Sequence, residues 1–309
     1  MRILVSVCLL ACSLYGLAGK LARPSMGFVF DPSTHTLRRI EGIPGAALVG
    51  SAVDFGFALS AAVVAPRLDS AFVMGADGGV HLFRLTADAP QELAVDSLGA
   101  RLEVFYSPSG TAATLLSPGS VRVIKGLPDS PVVGPPISLR PNGRPQRVPT
   151  NLAVSDDGAY LLYGADGPIE LIGVAGDRRH VAGGAAGAIA AFAPGGHDAA
   201  VINEAKLILF QDIAGAATER SFAGIVAPSA LAFSQDGQKL FVASSAHQSV
   251  ATVQVATGDR SALPCECDVR ALIPMGSLFR LNELGTEPLW LLDTASDRAL
   301  VFVPAPAAN

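Results

Sequence analysis

The stretches AFVMGADGGVHLFRL (residues 71–85) and YLLYGADGPIELIGV (residues 160–174) carry one pattern twice. Each is an apolar run, the tetrapeptide Gly-Ala-Asp-Gly, and a second run in which apolar and polar residues alternate. Glycine reaches positive φ without steric penalty and aspartate bonds to nearby backbone amides, so this tetrapeptide reverses the chain tightly. Alternation with period two marks a strand that buries one face. Both stretches read as β-hairpins. The form recurs as AATLLSPGSVRVIKG (112–126), AAVINEAKLILFQDI (199–213), LFVASSAHQSVATVQV (240–255) and LWLLDTASDRALVFVP (289–304), with FVFDPSTHTLRRI from Phe28 as a seventh candidate. Taking Phe28, Phe72, Leu115, Leu161, Val201, Phe241 and Trp290 as markers, the spacings are 44, 43, 46, 40, 40 and 49 residues.

Ahead of several hairpins stands another strand that ends in a Ser/Pro/Asp/Gly turn: VFYSPSG (104–110), LAVSDDG (152–158), AAFAPGG (190–196) and LAFSQDG (231–237). A short polar strand such as ATERSFAG (217–224) follows. Four antiparallel strands result, the unit of a β-propeller blade. A parallel β-solenoid fits less well, because its coils are usually shorter than about 40 residues. The fold expected is therefore all-β, a β-propeller of four-stranded antiparallel blades. Seven blades are preferred, since residues 25–305 divide into seven units of roughly 40 residues. Six is the alternative, in which the strands at Phe28 complete the blade begun by ALIPMGSLFRLNE (271–283) and the 289–304 hairpin. In either case the two ends of the chain share a blade or lie in adjacent ones.

The segment LAFSQDGQKLFVASSAHQSVATVQVATG (231–258) resembles the YVTN-type β-propeller repeat, a WD-like bacterial family of exported proteins. Phe241-Val242-Ala243-Ser244 stands in the YVTN place, Ser249-Val250 opens the next strand and Thr257-Gly258 ends it. Ser244 replaces the family's asparagine, and the other blades match in outline. The resemblance implies the propeller fold and says little of function.

Composition supports one packed unit. Hydrophobic residues make up 50% but aromatics only 6%, so the core is built from Ala, Val, Leu and Ile. The first residues, MRILVSVCLLACSLYGLAGK, set Arg2 ahead of an apolar run from Ile3 to Ala18, with small residues at Gly16 and Ala18. This reads as a signal peptide over 1–18, leaving 19–309 as a single propeller domain that is secreted or periplasmic. Leu9-Leu10-Ala11-Cys12 resembles a lipobox, which would instead attach the chain through a lipidated Cys12. No later segment has the roughly 20 apolar residues of a membrane span. Removing residues 1–18 leaves 21 basic against 27 acidic residues, a balance that disfavours nucleic acid as a partner.

Catalytic signatures are missing from the sequence: no nucleophile elbow, phosphate loop or His-Glu-x-x-His pattern occurs. The five histidines are scattered. Asp77, Asp156, Asp157, Asp166 and Asp236 each sit within two residues of a glycine in an expected turn, where bonding to backbone amides accounts for them. No catalytic residue, metal ligand or cofactor is assigned. Two local features remain. Cys265 and Cys267 can close a small disulfide in the turn ahead of the last blade, remain as thiols, or take part in a metal or redox site; export favours the disulfide. The segment 126–150 carries seven prolines together with Arg140, Arg144 and Arg147, and forms a candidate recognition loop for an acidic partner or anionic glycan.

The function expected is a binding or scaffold module for a protein, cell-surface or polysaccharide ligand. The alternative is an enzyme of lactonase or quinoprotein type, with a metal or cofactor held in the central channel by one residue from each of several blades.

Overall fold

The computed structural model describes residues 24–86, 89–95, 98–99, 103–139, 151–165, 168–182, 188–225, 227–295 and 300–305. These form seven antiparallel sheets and no helix among the described residues. The first blade holds β1 (Ser25–Asp31), β2 (Thr36–Ile43) and β3 (Ala46–Ala52). The second holds β4 (Leu59–Val64), β5 (Ser70–Gly75), β6 (Val80–Arg84) and β7 (Gln91–Leu93). The third has β8 (Val104–Tyr106), β9 (Ala112–Ser117), β10 (Ser120–Lys125) and an outermost strand in two pieces, β11 (Val132–Val133) and β12 (Ile137–Ser138). In the fourth are β13 (Asn151–Val154), β14 (Tyr160–Gly164), β15 (Ile169–Gly173) and β16 (Arg178–Ala182). The fifth comprises β17 (Ile189–Phe192), β18 (Ala199–Asn203), β19 (Lys206–Gln211) and β20 (Thr218–Ala223). The sixth comprises β21 (Ala230–Phe233), β22 (Lys239–Ser244), β23 (Ser249–Gln254) and β24 (Arg260–Pro264). The seventh closes with β25 (Ile273–Met275), β26 (Leu278–Arg280), β27 (Leu289–Asp293) and β28 (Leu300–Val303).

Every sheet is a meander in which strands adjacent in sequence are paired, so each blade follows from short turns alone. The turn of residues 75–79 shows how: Gly79 donates its amide to the Asp77 carboxylate at 3.0 Å, and Gly78 has φ +83°. The outer strand of the third blade breaks where Pro135 and Pro136 supply no amide for the ladder.

Apolar side chains fill each of the seven gaps between neighbouring blades. Phe72 and Leu82 of the second blade pack against Val104, Leu115 and Ile124 of the third. Leu161 and Ile172 of the fourth meet Leu116, Val121 and Val123 of the third. At the seam, Met26, Val29 and Ile40 of the first blade meet Met275, Leu278, Leu289 and Leu291 of the seventh. The first and last described strands thus lie in adjacent blades, and packing closes the ring between them.

The structure is a seven-bladed β-propeller. The six-blade alternative fails because the strands at Phe28 pair with each other and with β3, not with β25–β28. Two observations fix their place in the blade. The Leu59 amide, at the start of β4, donates to the His35 carbonyl in the β1–β2 turn at 3.0 Å, and the Ala76 amide, at the end of β5, donates to Ala58 at 3.1 Å, so the β1–β2 turn lies at the end of the ring where β5 turns into β6. Phe28 and Leu37 pack against Leu59, Ala71, Val73 and Phe83, as second and third strands elsewhere pack against the first three strands of the next blade. β1, β2 and β3 therefore hold the second, third and fourth positions, and the described residues supply no first strand to this blade.

The hairpin at 289–304 is displaced in the other sense. It is the third and fourth strands of its blade, whereas the other hairpins are second and third. This slip accounts for the long last interval. The true second strand is β26, three residues joined to β25 by Gly276-Ser277, too short for its period to show in the sequence.

Leu161 is fully buried between the third and fourth blades. Leu161→Ala is expected to cost about 2–5 kcal/mol through lost transfer energy and the cavity it leaves, read as a lowered midpoint in urea unfolding. A change below about 0.5 kcal/mol would show that this interface does not hold the ring.

Candidate functional site

The first strands of six blades, β4, β8, β13, β17, β21 and β25, surround a central cavity of about 460 Å³. Val63, Val104, Ala153, Ala191, Leu231 and Ile273 represent the six strands in its wall. No carboxylate, imidazole, amine, guanidinium or thiol lines it among the described residues. Its one ionisable side chain is Tyr106, whose hydroxyl burial pushes upward in pKa, so it stays neutral. The polar groups of the wall are few. Asn151 accepts a hydrogen bond on Oδ1 from the Ala190 amide of the next blade at 3.0 Å, while its buried Nδ2 has no partner. Ser229 donates to the Val269 carbonyl at 3.1 Å.

Acid–base chemistry needs a group that can gain or lose a proton near neutral pH, and the wall provides none. Nor do the described residues hold any group of three or more His, Cys, Asp or Glu placed to bind a metal ion. The channel metal of the alternative enzyme reading finds no such group among them. An apolar cavity of this size with a few placed polar groups instead suits the holding of a ligand.

The aspartates of the inner turns are structural. Ser155 donates to Asp157 Oδ1 at 2.6 Å, Asp157 accepts from the Ala159 amide at 2.9 Å, and the Tyr160 amide donates to Ser155 Oγ at 3.0 Å. Ser234, Asp236, Gln238 and Lys239 repeat these bonds at 2.5, 3.0 and 2.9 Å. The Ser-x-Asp-Gly signature is thus a closed turn rather than a cation site. Asp156 reaches further, taking the Ser109 amide of the third blade and the Gly195 amide of the fifth, each at 2.7 Å. His197 of the fifth blade lies with Nε2 3.0 Å from Asp157 Oδ2. Three blades are stapled at this end of the ring.

Cys265 and Cys267 have Cα atoms 5.1 Å apart, within the span a disulfide requires. Both are buried with Phe241, Val250, Leu281 and Leu292 between the sixth and seventh blades. Arg140, Arg144 and Arg147 lie outside the described residues, as do Asp166, the leader and its Cys8 and Cys12. No described helix is long and apolar enough to cross a membrane.

Sequence reasoning did not single out Asn151 or the cavity wall. A channel assembled from one short strand per blade leaves no local motif; its only trace is the Ala-rich first strands such as those at 190 and 230.

No protein-family model matches the chain, and no curated protein does either. Solved structures do. Apo AztD from Citrobacter koseri superposes with a TM-score of 0.60 at 11% identity, over 90% of this chain and 94% of that one. The β-propeller domain of Swd1 from Myceliophteria thermophila gives 0.51 at 12%, over 84% and 94%. A catalytically inactive virginiamycin B lyase from Staphylococcus aureus, solved with quinupristin, gives 0.51 at 12%, over 77% and 81%. At such identities the likeness is one of fold, and this fold is shared by proteins of different work.

Two outcomes follow for the turn carboxylates. Asp156→Ala leaves two backbone amides of neighbouring blades without their acceptor and is expected to cost about 1–3 kcal/mol, measured by urea unfolding; an unchanged midpoint would deny the staple. Asp31 is held down to about 2 from an ordinary 3.8: burial pushes it up, but the bonds from Ser33, Thr34 and Arg38 outweigh that. Asp157 is lowered too, its bonds from Ser155, Ala159 and His197 outweighing burial, and Asp236 is lowered chiefly by its Ser234 bond. Since the folded values lie below the unfolded ones, this stability is fully present above the unfolded values and is lost as pH falls through the folded ones. Urea midpoints should hold above about pH 4 and fall toward pH 2, and Asp31→Asn should flatten that fall.

Proposed function

We propose that this protein is an exported binding or scaffold module of the YVTN-repeat type, whose ligand is a protein or a component of the cell surface such as a polysaccharide. The observation that carries the reading is the central cavity, apolar in its side chains and without an ionisable group near neutral pH among the described residues. The YVTN assignment is supported by residues 231–258, whose motif positions coincide with β21–β23 and the turn that follows. Export rests on the leader over 1–18, with 19–309 as the mature propeller and attachment through Cys12 as the lipoprotein variant. Within the same reading Cys265 and Cys267 form a disulfide, and Arg140, Arg144 and Arg147 serve a recognition loop.

Capture from an envelope fraction with immobilised mature protein tests the reading. A partner retained by the wild type and lost with Ala191→Trp, which fills the cavity, is the expected outcome. Retention by a channel-filled variant and loss with Arg140, Arg144 and Arg147 replaced by alanine would move the site to the loop. Loss with neither variant would remove both sites. For the cysteines, titration of the unfolded mature protein without reductant should find no free thiol; two reactive thiols would exclude the disulfide.

A further inference from the structure

The inner turns put the wall of the central cavity in register. The amides of Ala65, Ser107, Ser155, Ala193 and Ser234 each donate to a carbonyl at the start of the next strand, at 2.8 to 3.0 Å. Two residues before them, at one level of the wall, stand Val63, Phe105, Ala153, Ala191 and Ala232. Phe105 is the large side chain in a row of short ones. Val104 and Tyr106 on either side of it pack into the core between the second and third blades, so strand alternation turns Phe105 away from that core. It remains 39% exposed and belongs to no inter-blade cluster among the described residues, whereas the wall's other aromatics, Tyr106, Phe192, Phe233 and Phe279, each pack in one.

Exposed phenylalanines elsewhere have ring partners: Phe57 lies 5.2 Å from His81, and Phe302 lies 5.8 Å from Trp290. Tyr106 has one too, Phe72 at 5.5 Å on the other side of β8. No aromatic ring or guanidinium lies against Phe105 among the described residues. A free aromatic face at the level of three alanines is a place for a flat ring, because aromatic pairs gain beyond area burial when they stack offset or meet edge to face. The cavity, about 460 Å³, has the size of a small-molecule site. Its wall carries no charged side chain among the described residues, so an ionised ligand would lose its hydration and meet no counter-charge. Uncharged and aromatic is the chemistry that fits.

We propose that the central cavity takes a free, uncharged aromatic small molecule, laid on the ring of Phe105. The proposal rests on the binding reading of that cavity above and adds to its macromolecular partner a small ligand of stated class.

The test uses the purified protein and the fluorescent probe N-phenylnaphthylamine, whose emission rises when it leaves water. Saturable binding is expected, with at least about tenfold weaker binding of anilinonaphthalene sulfonate, which has the same rings and a charge. Bound probe should be displaced by naphthol better than by its saturated counterpart, decahydronaphthol. Phe105→Leu should weaken the probe about three- to tenfold and abolish that preference, which Phe105→Tyr, with the ring kept, should restore. Urea midpoints report whether the variants fold; should Phe105→Leu fold poorly, Ala153→Leu, which narrows the cavity at the same level, should weaken the probe in its place. No binding up to the solubility of the probe, or equal binding of the sulfonate, would overturn the ligand class. An unchanged preference for naphthol in Phe105→Leu would overturn the stacking. Loss of the envelope partner with Phe105→Leu, without binding of the probe, would mean that the ring belongs to the partner, and would overturn the free ligand. If the probe fails while Ala191→Trp still releases the envelope partner, the small ligand alone is lost; if the probe binds and is weakened by Ala191→Trp while the partner is kept, the small ligand stands and the partner's place in the cavity falls.

Discussion

Everything in this molecule depends on apolar packing between blades. A four-stranded meander has two apolar faces and no means of covering either, so one blade alone would leave Leu161 and Leu162, which belong to clusters on opposite sides of the same strand, both in water. Fully burying a side chain of this size stabilises by about 1.5–3 kcal/mol, and each of the seven interfaces repeats that gain several times over. The gain exists only in a ring. At the seam of the first and seventh blades the packing of Met26, Val29 and Ile40 on Met275, Leu278 and Leu291 completes it, since among the described residues their sheets share no strand.

Ring closure decides where polar groups can go. The interfaces admit few of them, so hydrogen-bonding side chains collect at the turns, where they convert chain reversals into fixed corners. Ser155, Asp157 and their counterparts Ser234 and Asp236 saturate turn amides within a blade, while Asp156 and His197 tie one blade to the next. Buried Ser155 and Ser234 are tolerated because every bond they can make locally is made. The Asp157 and Asp236 carboxylates are held in the ionised form by the same amides and hydroxyls, which is why they act as mortar rather than as reactive groups.

Much of the architecture was legible in the sequence because a hairpin is a local object. Period-two alternation and Gly-Ala-Asp-Gly turns located β5–β6 and β14–β15, and repetition supplied the blade count. Position within a blade was less legible. LWLLDTASDRALVFVP has the alternation of any other hairpin, and nothing local distinguishes third and fourth strands from second and third; the distinction is made by the pairing of β27 with the three-residue β26, whose own partner is β25. The site was least legible of all. Its wall takes one to several residues from each of six blades, and Asn151 was invisible as a candidate because its significance comes from Ala190, a blade away.

The mismatch between sheets and first strands bears on what the channel can be. With a first strand in every blade, the axis would be a closed wall of equivalent edges. Here β1 stands one layer back, Gly27 lies against Met275 so closely that a Cβ would come within 2.8 Å of its sulfur, and the inner turns of blades seven and two join across the gap. Among the described residues the packing thereby keeps a seven-part outer ring around a six-part inner one. Among the described residues the repeat is thus broken beside the seam of the first and seventh blades, and the Gly276 to Pro66 bond closes the inner ring over the break. Apolar interfaces are indifferent to the break, since they need faces and not edges.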